Sequence, residues 1–123
     1  MRVPLTWQQI FSLNHRPETI QTIKLAADDY GTLQSVRYRA LGEIKLHEDY
    51  AEVVVNWSSL PYECKNMKLD YELARTDGTT PNSIRASSSA TSLYAFEIAI
   101  GELAVKAGRD PLEFCRLSYA ERD

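Results

Sequence analysis

The spacing of apolar positions changes along this chain, and each spacing predicts a different element. Ile23, Leu25 and Ala27 alternate onto one face, and Val36, Tyr38, Ala40 and Ile44 onto another, which predicts a β-hairpin. Between the two runs stands Asp28-Asp29-Tyr30-Gly31, a turn in which Gly31 supplies the positive φ that closes it without a Cβ clash. Met67, Leu69, Tyr71 and Leu73 alternate with Lys68, Asp70 and Glu72, the clearest half-buried strand of the chain. Residues 3–6 add a short N-terminal strand, and Thr6 caps a brief helix over residues 7–11.

Elsewhere the period lengthens. Tyr50, Val53, Val54 and Trp57 recur at helical spacing, although the run Val53-Val54-Val55 suits a strand; a short helix is predicted there. After the loop Thr76-Asp77-Gly78-Thr79-Thr80-Pro81-Asn82, the serines Ser87-Ser88-Ser89 offer a side-chain cap to a long helix. Leu93, Phe96, Ile100, Leu103 and Ala107 form its predicted buried stripe, and Gly108 stands where a glycine ends helices. Asp110-Pro111-Leu112-Glu113 then starts a last helix to about Tyr119: Asp caps, Pro gives up no hydrogen bond at the first position, and Glu reaches back. The predicted class is α+β. A small antiparallel sheet (N-terminal strand, hairpin, strand near 67–74) packs with a long C-terminal helix and a short final one.

At 123 residues the chain is predicted to be a single domain over 1–123. An apolar fraction of 44% and a charged fraction of 25% support an ordinary globular core. The net charge is −3 and the basic residues are scattered, so nothing resembles a nucleic-acid footprint. No apolar run approaches the ~20 residues of a membrane span, and the N-terminus lacks the apolar core of a signal peptide. The expectation is a soluble cytoplasmic protein.

Stand-alone enzyme signatures are missing: there is no Gly-x-Gly-x-x-Gly, Gly-x-Ser-x-Gly or Gly-x-x-x-x-Gly-Lys. Cys64, Cys115, His15 and His47 are mutually isolated, without metal-ligand spacing, and are read as packed or solvated side chains. Asp28/Asp29 and Glu48/Asp49 sit in turn or exposed contexts, which do not raise a carboxyl pKa for acid catalysis. Arg37 and Arg39 face away from Val36 and Tyr38 and are read as a solvated sheet face. Trp7, Trp57 and Tyr62 are read as packed aromatics rather than as an aromatic surface.

The C-terminal third carries a resemblance. Ile84-Arg85-Ala86-Ser87, Ala95-Phe96-Glu97, Gly101-Glu102-Leu103-Ala104, Gly108 and Asp110-Pro111-Leu112-Glu113-Phe114 follow, in order, a pattern of Arg-Ala-Pro-Gly, a helix ending Asp-Glu-Leu-Ala, a Gly, and Asp-Pro-x-Glu. Upstream, Leu5-Thr6, Phe11 and His15-Arg16-Pro17-Glu18-Thr19 match Leu-Thr-Arg-x-x-x-Phe and His-Arg-Pro-x-Thr, and Leu25-Ala26-Ala27-Asp28 to Leu33 matches a hairpin with Ala-Asp-x-x-Gly-x-Leu. Tyr62-Glu63-Cys64-Lys65-Asn66 matches Tyr-x-Cys-x-Asn. Together they resemble the large molybdopterin-binding subunit of the molybdenum hydroxylases (xanthine dehydrogenases and aldehyde oxidases), on the bacterial aldehyde-oxidising branch.

The resemblance implies an oxidoreductase ancestry. Members hold a molybdenum–pterin cofactor and hydroxylate aldehydes or nitrogen heterocycles with oxygen from water, passing electrons to iron–sulfur and flavin subunits. The family's arginine beside the cofactor matches Arg85, followed by Ala86; these are the cofactor-binding candidates, with no catalytic and no metal-ligating residue assigned. A guanidinium suits that place because it offers a fork of donors and keeps its charge. Departures limit the inference. Ser87-Ser88 replace Pro-Gly, which removes the turn expected to shape the pocket wall; Gly101 replaces Asp, and Cys115 stands where the family has Arg. The family's general base is a glutamate of a Gly-x-Gly-Glu motif, which neither Gly42-Glu43 nor Gly101-Glu102 supplies.

The expected function is therefore a piece of such a subunit, inactive and cofactor-free alone, completed by the remaining large-subunit segments. The alternative is a non-catalytic interaction or structural module of the same descent, which would expose an apolar patch or bury it by self-association.

Overall fold

A computed structural model describes residues 2–47 and 49–120. The element order is α1 (Trp7–Leu13), β1 (Thr19–Ala27), β2 (Leu33–Lys45), a 3₁₀ helix (Val54–Ser59), β3 (Asn66–Thr76), α2 (Ser89–Lys106) and α3 (Pro111–Ser118). The fold is α+β, a three-stranded sheet of order β1-β2-β3 covered by helices. Central β2 pairs antiparallel with β1, in a register that sets Ile23 opposite Tyr38 and Leu25 opposite Val36. Asp28 closes this hairpin: its Oδ1 accepts the N–H groups of Tyr30 (3.0 Å) and Thr32 (2.8 Å), with Gly31 at φ +84°.

Two details of the expected sheet are corrected. β3 runs parallel to β2, with Tyr38 opposite Leu69, so the sheet is mixed. Parallel neighbours need a crossover of a dozen or more residues, and residues 46–65 provide one. Nor do residues 3–6 form a strand: Val3 and Leu5 are exposed, and Thr6 instead caps α1 through a reciprocal box with Gln9. Within the crossover, the helix expected from Tyr50 onward is reduced to the 3₁₀ segment. The β-branched valines disfavour a longer α-helix, and the Ser58 hydroxyl returns to the Val55 carbonyl at 2.7 Å.

α2 lies against β1 and the 3₁₀ helix, with α3 packed on it. Tyr38, Val54, Phe96, Ile100, Ala104 and Phe114 are fully buried between these layers. The Phe96 ring sits 6.2 Å from that of Tyr38 and 5.8 Å from that of Tyr62, centroid to centroid. Burying an aromatic of this size stabilises by roughly 1.5–3 kcal/mol, so Phe96 is the centre of the core. The stripe of α2 is shifted from the expected one: Ser92, Phe96, Ile100 and Ala104 are buried, Leu93 and Leu103 half-buried, and Ala107 exposed. Its C-terminus closes as expected. Gly108 (φ +66°) and Arg109 donate to the carbonyls of Val105 and Ala104, both at 3.0 Å, in the double return that a left-handed glycine permits. Asp110 caps α3 by accepting from Leu112 (2.9 Å) and Glu113 (3.1 Å).

Of the three aromatics expected to pack, only Tyr62 does. Trp7 is 90% exposed and Trp57 39%, because α1 carries Trp7, Ile10 and Leu13 outward and the short 3₁₀ helix seats only its valines and Ser58.

Candidate functional site

Arg85 and Ala86 lie in the loop that leads into α2, and both are exposed. The backbone here is unusual. Ala86 (φ 58°) and Ser88 (φ 60°) are the non-glycine residues of positive φ among the described residues. At Ser88 the pairing of φ 60° with ψ −47° bends the chain so that Ser89 N–H donates to the Ser87 carbonyl at 2.7 Å, a tight γ-turn. Such conformations cost side-chain-bearing residues about 1–3 kcal/mol each and persist only where surrounding structure holds them. A tight turn thus stands where Ser87-Ser88 replace Pro-Gly, with Ser88 in a form that glycine would take freely. It also follows that the serine cap expected for α2 is not made: Ser88 stands at the N-cap, but its side chain caps nothing.

Two distant residues contact this loop. Arg16 Nη2 donates to the Arg85 carbonyl at 2.9 Å and Nη1 to the Ala86 carbonyl at 3.4 Å. Arg16 also lies 3.6 Å from Oε2 of Glu52, whose side chain is only 2% exposed. That same carboxylate oxygen accepts Ser88 N–H at 2.9 Å, while Oε1 accepts the Tyr50 hydroxyl at 3.1 Å. The Tyr71 hydroxyl fixes the Glu52 backbone by donating to its carbonyl at 2.7 Å. Burial and the negative charge of Glu52 raise the Tyr71 pKa, which keeps that donor protonated. Sequence reasoning reached Arg16 only as part of His-Arg-Pro and passed over Glu52 altogether, since no local spacing marks a carboxylate whose partners are far along the chain.

A molybdenum–pterin group would ask of this loop an unengaged donor for anionic oxygens and a small neighbour that admits it. The Arg85 guanidinium makes no internal hydrogen bond or ion pair among the described residues, and Ala86 adds only a methyl group. The pair therefore fits one contact to such a group, though not a complete cage. A shallow depression of about 470 Å³ lies elsewhere, over Lys24, Arg37 and Lys68 of the outer sheet face. On that face Arg37 is exposed and Arg39 is paired with Glu72 at 2.8 Å.

Several other chemistry-bearing residues are engaged by neighbours within the fold. His15 Nε2 is 3.3 Å from Glu43 Oε2, in a cluster with Lys45 and Thr76. Cys115 Sγ lies 3.3 Å from the Tyr62 hydroxyl, which also donates to Glu97 (2.8 Å). Burial, followed by these two neighbours, pushes the Tyr62 pKa far up. Asp28 is consumed by its turn, Asp49 pairs with Arg75 at 3.4 Å, and Glu48 lies outside the described residues. Among the described residues no three His, Cys, Asp or Glu side chains gather as a metal site. Nor is any described helix long and apolar enough to cross a membrane.

Comparison with known proteins agrees with the expected ancestry. Residues 5–119 match the model of the molybdopterin cofactor-binding domain. The chain is 37% identical over 109 residues to the aldehyde oxidoreductase molybdenum-binding subunit PaoC of Escherichia coli K12, covering 89% of this chain and 15% of that protein. The chain thus spans about 15% of the length of the curated relatives it matches. Among solved structures, the Desulfovibrio gigas aldehyde oxidoreductase superposes with a TM-score of 0.79 at 20% identity, over 88% of this chain and 12% of that one. Quinoline 2-oxidoreductase of Pseudomonas putida 86 gives 0.81 at 18% identity, over 93% and 16%. These two show a shared fold. With its domain model matched almost end to end and a relative above one-third identity, the chain belongs to the molybdopterin cofactor-binding domain family.

Proposed function

We propose that these 123 residues act as one unit of a larger molybdenum-dependent oxidoreductase, with Arg85 and Ala86 forming a short wall beside the cofactor. The observation that carries this reading is the Arg85 guanidinium, unpaired among the described residues at a loop whose backbone is hydrogen-bonded from two sides. Arg85 contributes a permanent positive charge and up to two parallel donors to an anionic oxygen, and Ala86 leaves room for the approach. The bound cofactor would supply the oxygen transfer and accept the electrons. An aldehyde is the favoured substrate class, from the name of the relative PaoC. Remaining large-subunit segments, with iron–sulfur and flavin subunits, would complete the assembly.

Exposed apolar side chains support a host. Trp7, Ile10 and Leu13 on α1, and Tyr94, Ile98 and Val105 on α2, stand in contact with solvent. Covering them against further segments of the subunit would recover roughly 25 cal/mol per Å² of apolar surface. The same side chains are what the alternative, a self-associating non-catalytic module, would use.

The test is isolation of the chain from its native source, with metal analysis of whatever accompanies it. The expected result is molybdenum in the complex, none bound to the chain purified alone, and no aldehyde oxidation by the chain alone. Within the complex, Arg85→Ala lowers the molybdenum–pterin content. Stoichiometric molybdenum on the isolated chain would overturn the need for a host. A homo-oligomer without molybdenum-bearing partners would establish the alternative.

A further inference from the structure

We infer that Glu52 and Arg16 are positioning residues: together they hold the 85–88 loop in a backbone form that its own sequence resists, and so set where Arg85 stands. Three segments far apart in the chain meet at this point. Arg16 precedes β1, Glu52 precedes the 3₁₀ helix, and residues 85–88 precede α2. One oxygen of the buried Glu52 carboxylate takes the Ser88 amide and faces the Arg16 guanidinium, and that guanidinium in turn takes the carbonyls of Arg85 and Ala86. The loop is thereby gripped on its N–H side by an anion and on its C=O side by a cation.

Chemistry favours this division of labour. A carboxylate with so little exposure is tolerable only when its lone pairs are met, and here Ser88 N–H, Tyr50 Oη and Arg16 meet them. The charge-assisted bond to Ser88 N–H is stronger than a neutral one, and it falls on a residue whose φ of 60° is unfavourable to a side chain. The Ala86 carbonyl is fixed further by Ala90 N–H (3.1 Å) and the Ser89 hydroxyl (3.3 Å), which ties the grip to the first turn of α2. A residue that merely filled the core would have no reason to address both ends of the strained turn.

The functional meaning rests on the assignment of Arg85 to the cofactor wall, but the grip itself is measurable without cofactor. The experiment compares the full chain with Glu52→Gln, Ser88→Gly and the double variant, by amide hydrogen exchange and urea denaturation. Glu52→Gln is expected to speed exchange at Ser89 and Ala90 at least tenfold more than at Tyr38 and Ala40 of β2. Glycine adopts the turn without strain, so Ser88→Gly is expected to cut the effect of Glu52→Gln on the unfolding constant at least fivefold. Arg16→Met, at a partly exposed site, gives the same local pattern and serves if Glu52→Gln does not fold. Equal losses in both backgrounds, or exchange that rises uniformly across the sheet, would reduce the pair to ordinary stability elements. Because no step reads molybdenum or activity, failure here leaves the Arg85 assignment to its own test, and failure of that assignment leaves these rates unchanged.

Discussion

The Tyr71 ring lies where the first side-chain carbon of residue 42 would stand: a Cβ on Gly42 would meet Tyr71 Cζ at 2.9 Å and the hydroxyl closer still. Gly42 on β2 is thus required for a close approach rather than for a turn. Gly42→Ala must push Tyr71 aside and break its bond to the Glu52 carbonyl. The expected loss is about 1–3 kcal/mol of stability, the usual range for overpacking. Urea denaturation would measure it, and in a Tyr71→Phe background the loss should shrink, because the closest atom is gone.

Acid should weaken the fold through Glu43. Its carboxyl is held at about 2, below the ordinary 4.5, chiefly by the hydrogen bond from Lys45. Burial opposes this, and Thr76, the Glu18 amide and His15 add to the lowering. The folded chain thus releases this proton more readily than the unfolded chain. The stabilisation is complete above about pH 4.5 and disappears as pH falls toward about 2. Glu43→Gln should lower stability by about 3 kcal/mol at neutral pH, since Lys45 is left buried without its partner, and should flatten this acid limb. Thermal melts from pH 6 to pH 3 on both proteins decide it.

Gly101 predicts the opposite sign. It sits within α2, and a Cβ there would meet nothing within 4 Å. Gly101→Ala should stabilise the chain by about 1 kcal/mol, the helix-propensity difference between the two residues. A denaturation midpoint that fails to rise would mean that this face is already covered, for example by a second copy.

Two aromatic truncations should separate core from periphery. Phe96→Ala empties the centre of the core and should cost about 3–5 kcal/mol. Tyr62→Phe keeps the ring and removes only the hydroxyl that reaches Glu97 and Cys115, so about 1 kcal/mol is expected. Calorimetry on both variants would sink this ranking if the losses were equal.

Much of the fold was legible because its causes are local. The Asp28 turn with Gly31, the Thr6 cap, the Gly108 stop and the Asp110-Pro111 start are each settled within about four residues, by short-range bonds to the local backbone. The alternation in β1, β2 and β3 was equally plain, and motif order carried the family. The direction of β3 was not, since alternation is the same for parallel and antiparallel neighbours. The exposure of Trp7 was hidden too, because an amphipathic pattern records which face seeks cover and not whether cover is there.

The candidate site divides along the same line. The resemblance to the molybdenum hydroxylases, carried by motif order, suggested the ancestry and, through it, Arg85 and Ala86 as the cofactor-binding candidates. The contacts on their loop join Ser88 N–H to a carboxylate 36 residues away and the Arg85 carbonyl to a guanidinium 69 residues away, which no local spacing reveals. Local propensity argues against positive φ at Ala86 and Ser88, and the charges of Arg16 and Glu52 reach that turn only through the packing of the sheet, the crossover and α2.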